Sequence, residues 1–124
     1  MAMFGLDVKT ISRLNGGSVV KSAAYILRDN IYDHYLDKTH YYSHVKDLVY
    51  SEILVPDYAP RAFRDRDTLL AAIDQAESRY DARTGRMICL SLPNDRGITD
   101  EDRIKLATRF VREEFVRLGI VRNS

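Results

Sequence analysis

Apolar residues recur along the chain with two periods, and each period predicts an element. Phe4, Leu6, Val8 and Thr10, followed by Ile11, alternate in steps of two, the pattern of a half-buried strand. Asn15-Gly16-Gly17 ends that strand as a turn, and Ser18 stands where a helix N-cap accepts from the amides of the first turn. From about Val19 to Tyr32 the spacing becomes helical, with Val20, Ala23, Ala24, Leu27 and Ile31 on one apolar stripe. Asp33 to Lys46 is polar and aromatic and predicts a loop or short hairpin, and Leu48 to Val55 reads as a second strand.

Pro56 and Pro60 break the chain before a second helical stripe formed by Leu69, Ala72, Ile73, Ala76 and Tyr80, with Asp65 or Asp67 as its cap. After Gly85, the run Arg86 to Leu92 predicts a short apolar strand stopped by Pro93, and Asn94 to Ile98 a loop. Thr99 and Asp102 then make a weak capping box for a third helix, whose face carries Ile104, Ala107, Val111, Phe115 and Leu118 and which Gly119 ends. The order strand, helix, strand, helix, strand, helix predicts an α+β or α/β arrangement with helices laid against a sheet. With no repeat, low-complexity tract or Gly/Ser linker, residues 1–124 are expected to form a single domain.

Composition narrows the setting more than the chemistry. An apolar fraction of 45% and a charged fraction of 30% are those of a chain that folds. No apolar run approaches the ~20 residues needed to cross a bilayer, and the N-terminus lacks a signal peptide, so no membrane partner and a cytoplasmic address are expected. The single cysteine, Cys89, lies in an apolar run and reads as a small hydrophobe. A net charge of +1 does not demand nucleic acid; the arginines Arg61, Arg64 and Arg66, and Arg79, Arg83 and Arg86, are interrupted by Asp65, Asp67 and Asp81.

On the first predicted helix, Tyr25 is followed by Arg28, Asp29 and Tyr32 and preceded one turn earlier by Lys21, all on a face turned from Ala23, Leu27 and Ile31. Two cations beside a phenol suit a phosphodiester and favour the phenolate. From spacing alone, however, a tyrosine at a helix border more often packs its ring and exposes its hydroxyl. His34, His40 and His44 lie in the polar segment without a third ligand in register, and no metal site is expected of them.

A resemblance adds to this. The stretch Gly16-Gly17-Ser18-Val19-Val20-Lys21-Ser22-Ala23-Ala24-Tyr25-Ile26-Leu27-Arg28 is similar to the start of MobA/MobL relaxases, and the likeness continues in order through Tyr32-Asp33 and Thr39-His40-Tyr41-Tyr42-Ser43. It runs on through Ser51-Glu52-Ile53-Leu54-Val55-Pro56, Ala59-Pro60, Asp65-Arg66-Asp67-Thr68-Leu69, Ala76-Glu77 and Asp81-Ala82-Arg83. Leu90-Ser91-Leu92-Pro93 and Phe110-Val111-Arg112-Glu113-Glu114-Phe115-Val116 close the series.

The resemblance implies a ferredoxin-like palm of the HUH type, helices on a small antiparallel sheet, and an origin-nicking activity on single-stranded origin DNA. A tyrosine attacks the scissile phosphate to give a 5′-phosphotyrosyl link and a free 3′-hydroxyl. By position that tyrosine is Tyr25, with Tyr32 second, and Lys21, Arg28 and Arg83 are the implied DNA contacts. The family's His-x-His motif, which holds magnesium or manganese, follows the helix that here ends near Gly119, and only Ile120 to Ser124 remain. The chain is therefore expected to be the N-terminal part of such an enzyme, a truncation, the product of a broken reading frame or a stand-alone remnant, close to inert alone and without a cofactor of its own. The alternative is a non-catalytic relaxase-like module that binds DNA or associates with itself, since a missing strand leaves a sheet edge and a helix face open.

Overall fold

The computed structural model describes residues 5–92 and 97–117. It is an α+β chain of strand β1 (Gly5–Ser12), helix α1 (Val19–Leu27), strands β2 (Asn30–Asp33) and β3 (Lys38–Tyr41), helix α2 (Arg66–Ala76), strand β4 (Arg83–Ser91) and helix α3 (Asp100–Arg117). β1 pairs with β4, and β2 with β3. Contacts divide the described residues into two units, one of residues 8–55 with 59–87, the other of residues 5–7, 56–58, 88–92 and 97–117. The predicted Phe4, Pro93 to Arg96, Leu118 and Gly119 lie outside the described residues.

The larger unit is organised around α1. β1 runs into a 3-10 turn at Arg13–Asn15, and Gly16 follows at φ 77. A Cβ on Gly17 would lie 2.7 Å from the Ser12 carbonyl oxygen, so the chain closes here only because that residue is glycine. Ser18 then caps α1, its hydroxyl accepting from the Lys21 amide at 3.1 Å, as its side-chain chemistry predicts. Val20 and Ala24 on α1, Ile31 on β2 and Leu70 on α2 form the buried core, flanked by Val19, Ala23, Leu27 and Tyr42.

α1 is shorter than its apolar stripe suggests. Arg28 adopts a left-handed conformation, φ 51 and ψ 49, and the helix closes with the Asp29 amide donating to the Ala24 carbonyl and the Arg28 amide to that of Tyr25. Ile31 is buried as expected, but from strand β2. Tyr32 is therefore on a strand, and the expected five-residue helical face reduces to Lys21 and Tyr25 with Arg28 at the helix end. The polar segment is a hairpin, with Asn30 opposite Tyr41, Ile31 opposite His40 and Asp33 opposite Lys38 in antiparallel register.

Asp33 ties this hairpin to the start of α1. Its side chain is 0% exposed. One carboxylate oxygen accepts from the Ser18 hydroxyl at 2.6 Å and pairs with His40 Nε2 at 2.9 Å, and the other accepts the Tyr35 and Leu36 amides, both at 3.1 Å. Burial pushes the Asp33 carboxyl up, but the hydrogen bonds from Ser18, His40 and Leu36 outweigh it and hold it below the ordinary carboxylate range.

Asp65 caps α2, accepting from the Thr68 amide at 3.0 Å. Tyr80 falls beyond the helix and is exposed. The far end is held by Arg13, whose guanidinium reaches the carbonyls of Asp74, Glu77 and Arg79 and lies 4.0 Å from the centroid of the Tyr35 ring. This supplies donors to carbonyls that a helix end leaves without partners. The predicted strand Leu48 to Val55 is neither helix nor strand, with Leu48, Val49 and Tyr50 exposed. Apolar composition alone does not make a strand when no neighbouring backbone takes its hydrogen bonds.

In the smaller unit, Thr99 and Asp102 form the expected reciprocal cap. The Thr99 amide donates to the Asp102 carboxylate at 3.0 Å and the Asp102 amide to the Thr99 hydroxyl at 3.1 Å. α3 keeps its predicted stripe, with Ile104, Ala107, Val111 and Phe115 half-buried. Ion pairs such as Arg109 with Glu113, four residues apart, line its exposed side.

Candidate active site

Tyr25 sits two residues before the end of α1 with its side chain outward, 47% exposed. Two neighbours fix its ring. The Arg28 guanidinium lies over one face, 4.5 Å from the ring centroid, and Tyr42 meets the ring edge-on at 5.5 Å and 88°. The left-handed backbone at Arg28 turns that side chain back along the helix, where Nη1 donates to the Tyr25 carbonyl at 2.9 Å.

The rest of the Arg28 fork is taken by Asp47. Nε donates to one carboxylate oxygen at 2.7 Å and Nη2 to the other at 3.2 Å. The hydrogen bond to Asp47 raises the guanidinium's already high pKa, and the same bond holds the Asp47 carboxyl below its usual range. Lys21, one turn before Tyr25, is exposed and has no ion-pair partner among the described residues.

The other sequence candidates stand elsewhere. The Tyr32 hydroxyl donates to Asp37 and its ring meets His34 edge-on at 4.7 Å. That hydrogen bond to Asp37, with partial burial and the charges of Asp37 and Asp33, raises the Tyr32 pKa, which keeps the phenol protonated and makes it a poorer nucleophile than an unhindered one. Tyr32 and His34 line an apolar pocket of about 370 Å³ floored by Val20, Ile31 and Leu70. Arg83 opens β4 and lines a separate, more polar hollow with Ser12, Glu77, Arg79 and Asp81.

The histidines do not assemble a site. His40 is buried against Asp33, His34 stacks on Tyr32, and His44 is exposed. Among the described residues no group of three or more His, Cys, Asp or Glu side chains is placed to hold a metal ion. The magnesium or manganese that the resemblance implies thus has no matching ligand set among them.

Sequence reasoning did not single out Asp33, Tyr42 or Asp47. For Asp33 a signal exists: Ile31 and Asp33 are alternate residues of one strand, so a buried isoleucine places the aspartate inward too. For Tyr42 and Asp47 the partners come together only through the hairpin and the chain that follows it.

Known proteins resemble the chain over almost all of its length. "Probable mobilization protein MobA" of Bifidobacterium longum is 27% identical over 113 residues, 91% of this chain and 20% of that protein. "Mobilization protein MobL" of Acidithiobacillus ferridurans is 31% identical, with 97% of this chain and 30% of that protein covered. "Conjugal transfer protein TraA" of Agrobacterium fabrum is 30% identical over 98% of this chain and 12% of its own length. The chain thus spans less than a third of each of these relatives. A solved structure described as "Molecular Basis of Vancomycin Resistance Transfer in Staphylococcus aureus" superposes with a TM-score of 0.81 at 31% identity, over 90% of this chain and 56% of that one. The implied relaxase-type α+β fold is therefore the fold of this chain. Because the MobA/MobL profile matches residues 17–124, a span that includes Tyr25 and every element from α1 onward, the chain belongs to the MobA/MobL family.

Proposed function

We propose that this chain carries the nucleophile of a DNA relaxase, and that Tyr25 attacks a phosphodiester of single-stranded origin DNA. In that step the bond from Tyr25 Oη to phosphorus forms and the bond from phosphorus to the 3′ oxygen breaks. The phenolic proton passes to solvent, and the 3′ oxygen takes up a proton and leaves as a hydroxyl, so the strand remains joined through a 5′-phosphotyrosyl link. One observation carries the reading: Tyr25 is a half-exposed phenol on helix α1, its ring packed against Arg28 and Tyr42. A fixed ring reduces the entropy lost in aligning the attacking oxygen with the phosphate.

In this reading Lys21 and Arg28 contact the phosphates nearest Tyr25, and Arg83, on its separate hollow, contacts the strand further along. Tyr32 ranks second because its hydroxyl is committed to Asp37. No described residue is assigned to a magnesium or manganese ion, and no step is drawn through one. No described helix is long and apolar enough to cross a membrane. A cytoplasmic setting, where origin DNA is processed, goes with the proposal.

The test uses the gene's full product, single-stranded origin DNA and tryptic mapping of the covalent adduct. Trypsin cuts after Lys21 and Arg28, so the peptide Ser22–Arg28 carries Tyr25 as its one tyrosine, while Tyr32 falls on the next peptide. The nucleotide is expected on Ser22–Arg28; finding it on the next peptide, which carries both Tyr32 and Tyr35, would move the role away from Tyr25.

Arg28→Gly separates function from folding. Glycine relieves a left-handed strain of roughly 1–2 kcal/mol, which offsets the loss of an exposed ion pair. Stability in urea is expected within about 1 kcal/mol of wild type, while affinity for a single-stranded oligonucleotide falls. Unchanged affinity would remove Arg28 from the DNA contacts.

A further inference from the structure

We infer that Asp47 holds the place of a DNA phosphate: in the free protein its carboxylate occupies the face of the Arg28 guanidinium that a phosphodiester takes when the strand lies beside Tyr25. The inference rests on the reading of Arg28 as a strand contact and adds the residue that competes for it. An arginine fork presents two parallel N–H donors that fit a carboxylate and a phosphate equally well. Here Nε and Nη2 make that fork with Asp47 at 2.7 and 3.2 Å, while Nη1 is bound to the Tyr25 carbonyl. The fork facing Asp47 is thus the one a strand would use, and it is already filled.

The exchange is inexpensive on the side of Asp47. Its side chain is 62% exposed against 21% for Arg28, so the carboxylate returns to water when displaced while the guanidinium stays against the Tyr25 ring. An exposed ion pair contributes little net stability. Asp47 also belongs to a stretch without helix or strand, residues 45–56, and leaving Arg28 breaks no backbone ladder. Arg28, in contrast, is held by its backbone conformation, by the Tyr25 carbonyl and by the ring beneath it. The cation is fixed and the anion is exchangeable, as a phosphate-binding position with an internal competitor requires.

A consequence follows for charge. Paired with Asp47, Arg28 presents no net charge to an incoming strand, and DNA binding must expel a carboxylate. With Asp47→Asn the same fork meets the strand as a free cation and one more counterion is released on binding. Affinity of the gene's full product for a fluorescent oligothymidylate, read by anisotropy between about 50 and 200 mM salt, is expected to rise roughly fivefold at the low end. The slope of log K against log salt is expected to steepen by about 0.7. In an Arg28→Gly background, Asp47→Asn is expected to change neither.

An Asp47→Asn protein that binds no tighter, or more weakly, overturns the inference, because Asp47 then supports Arg28 without competing for it. A gain that persists in the Arg28→Gly background overturns it as well, since it would come from bulk charge. These readouts are independent of where the adduct forms. An adduct on another tyrosine removes the role of Tyr25 and leaves the Asp47 result standing, and an adduct on Tyr25 with an unchanged Asp47→Asn slope does the reverse.

Discussion

Asp33→Ala is expected to destabilise the fold by about 3–5 kcal/mol and to lower its melting midpoint by roughly 10–20 °C. The carboxylate is fully buried and accepts from or pairs with four groups on three segments, Ser18, His40 and the amides of Tyr35 and Leu36. Alanine leaves all four facing a void, and groups stripped of a buried partner lose more than the net worth of the bond. The effect should reach Tyr25, because Ser18 is both the N-cap of α1 and a donor to Asp33.

The same residue makes stability depend on acid. Its folded pKa lies below the unfolded one, so the charged form is favoured by folding and its contribution is fully present above the unfolded carboxylate value of about 4. As pH falls through the folded pKa the contribution is lost. Asp33→Asn keeps an acceptor but cannot titrate, and the gap in unfolding free energy between wild type and Asp33→Asn should narrow from pH 5 towards pH 2. Parallel urea midpoints across that range would show that another group governs the acid transition.

Sequence pattern and structure agree where one period governs a whole element, and part company where the period outlives the element. α2 and α3 announce themselves through an Asp65 cap and a Thr99–Asp102 cap that the structure carries, whereas β1 is a strand as its alternation predicts but leaves Leu6 and Val8 exposed and buries Ile11. α1 misleads because Ile31 stands at helical spacing from Leu27 although the chain has already turned at Arg28. The helix is closed by a left-handed arginine, and the usual glycine that marks such an end is absent. Leu48 to Val55 has strand composition, but the hydrogen-bonding partner that decides its state is not written in the segment itself.

The candidate site divides along the same line. Lys21 and Tyr25 are one helical turn apart, and local spacing finds such pairs. The resemblance, and not the spacing, picked Tyr25 out of eight tyrosines. Asp47 reaches Arg28 from 19 residues away, across a hairpin whose register had to be known before the two side chains could be placed together. Asp33 reads in sequence as one more polar residue near a turn, and its burial follows only once Ile31 is known to sit on a strand.

Tyr25→Phe is expected to eliminate the covalent protein–DNA adduct, with the rate of nicking down by on the order of a thousandfold or more. The substitution deletes the attacking oxygen alone. Phenylalanine keeps the ring that stacks under Arg28 and against Tyr42, so the helix end and the Arg28–Asp47 pair should persist and the variant should melt close to wild type. Binding of single-stranded DNA should also persist, since Lys21 and Arg28 are untouched, which isolates the loss to the chemical step. Tyr32→Phe provides the contrast. It removes a hydroxyl already committed to Asp37, a bond that raises the Tyr32 pKa, and should leave adduct formation within a few-fold of wild type. The assay is adduct formation by the gene's full product on denaturing gels. An adduct that survives Tyr25→Phe and disappears with Tyr32→Phe would assign the nucleophile to strand β2, and the ring clamp at the end of α1 would then be a packing feature alone.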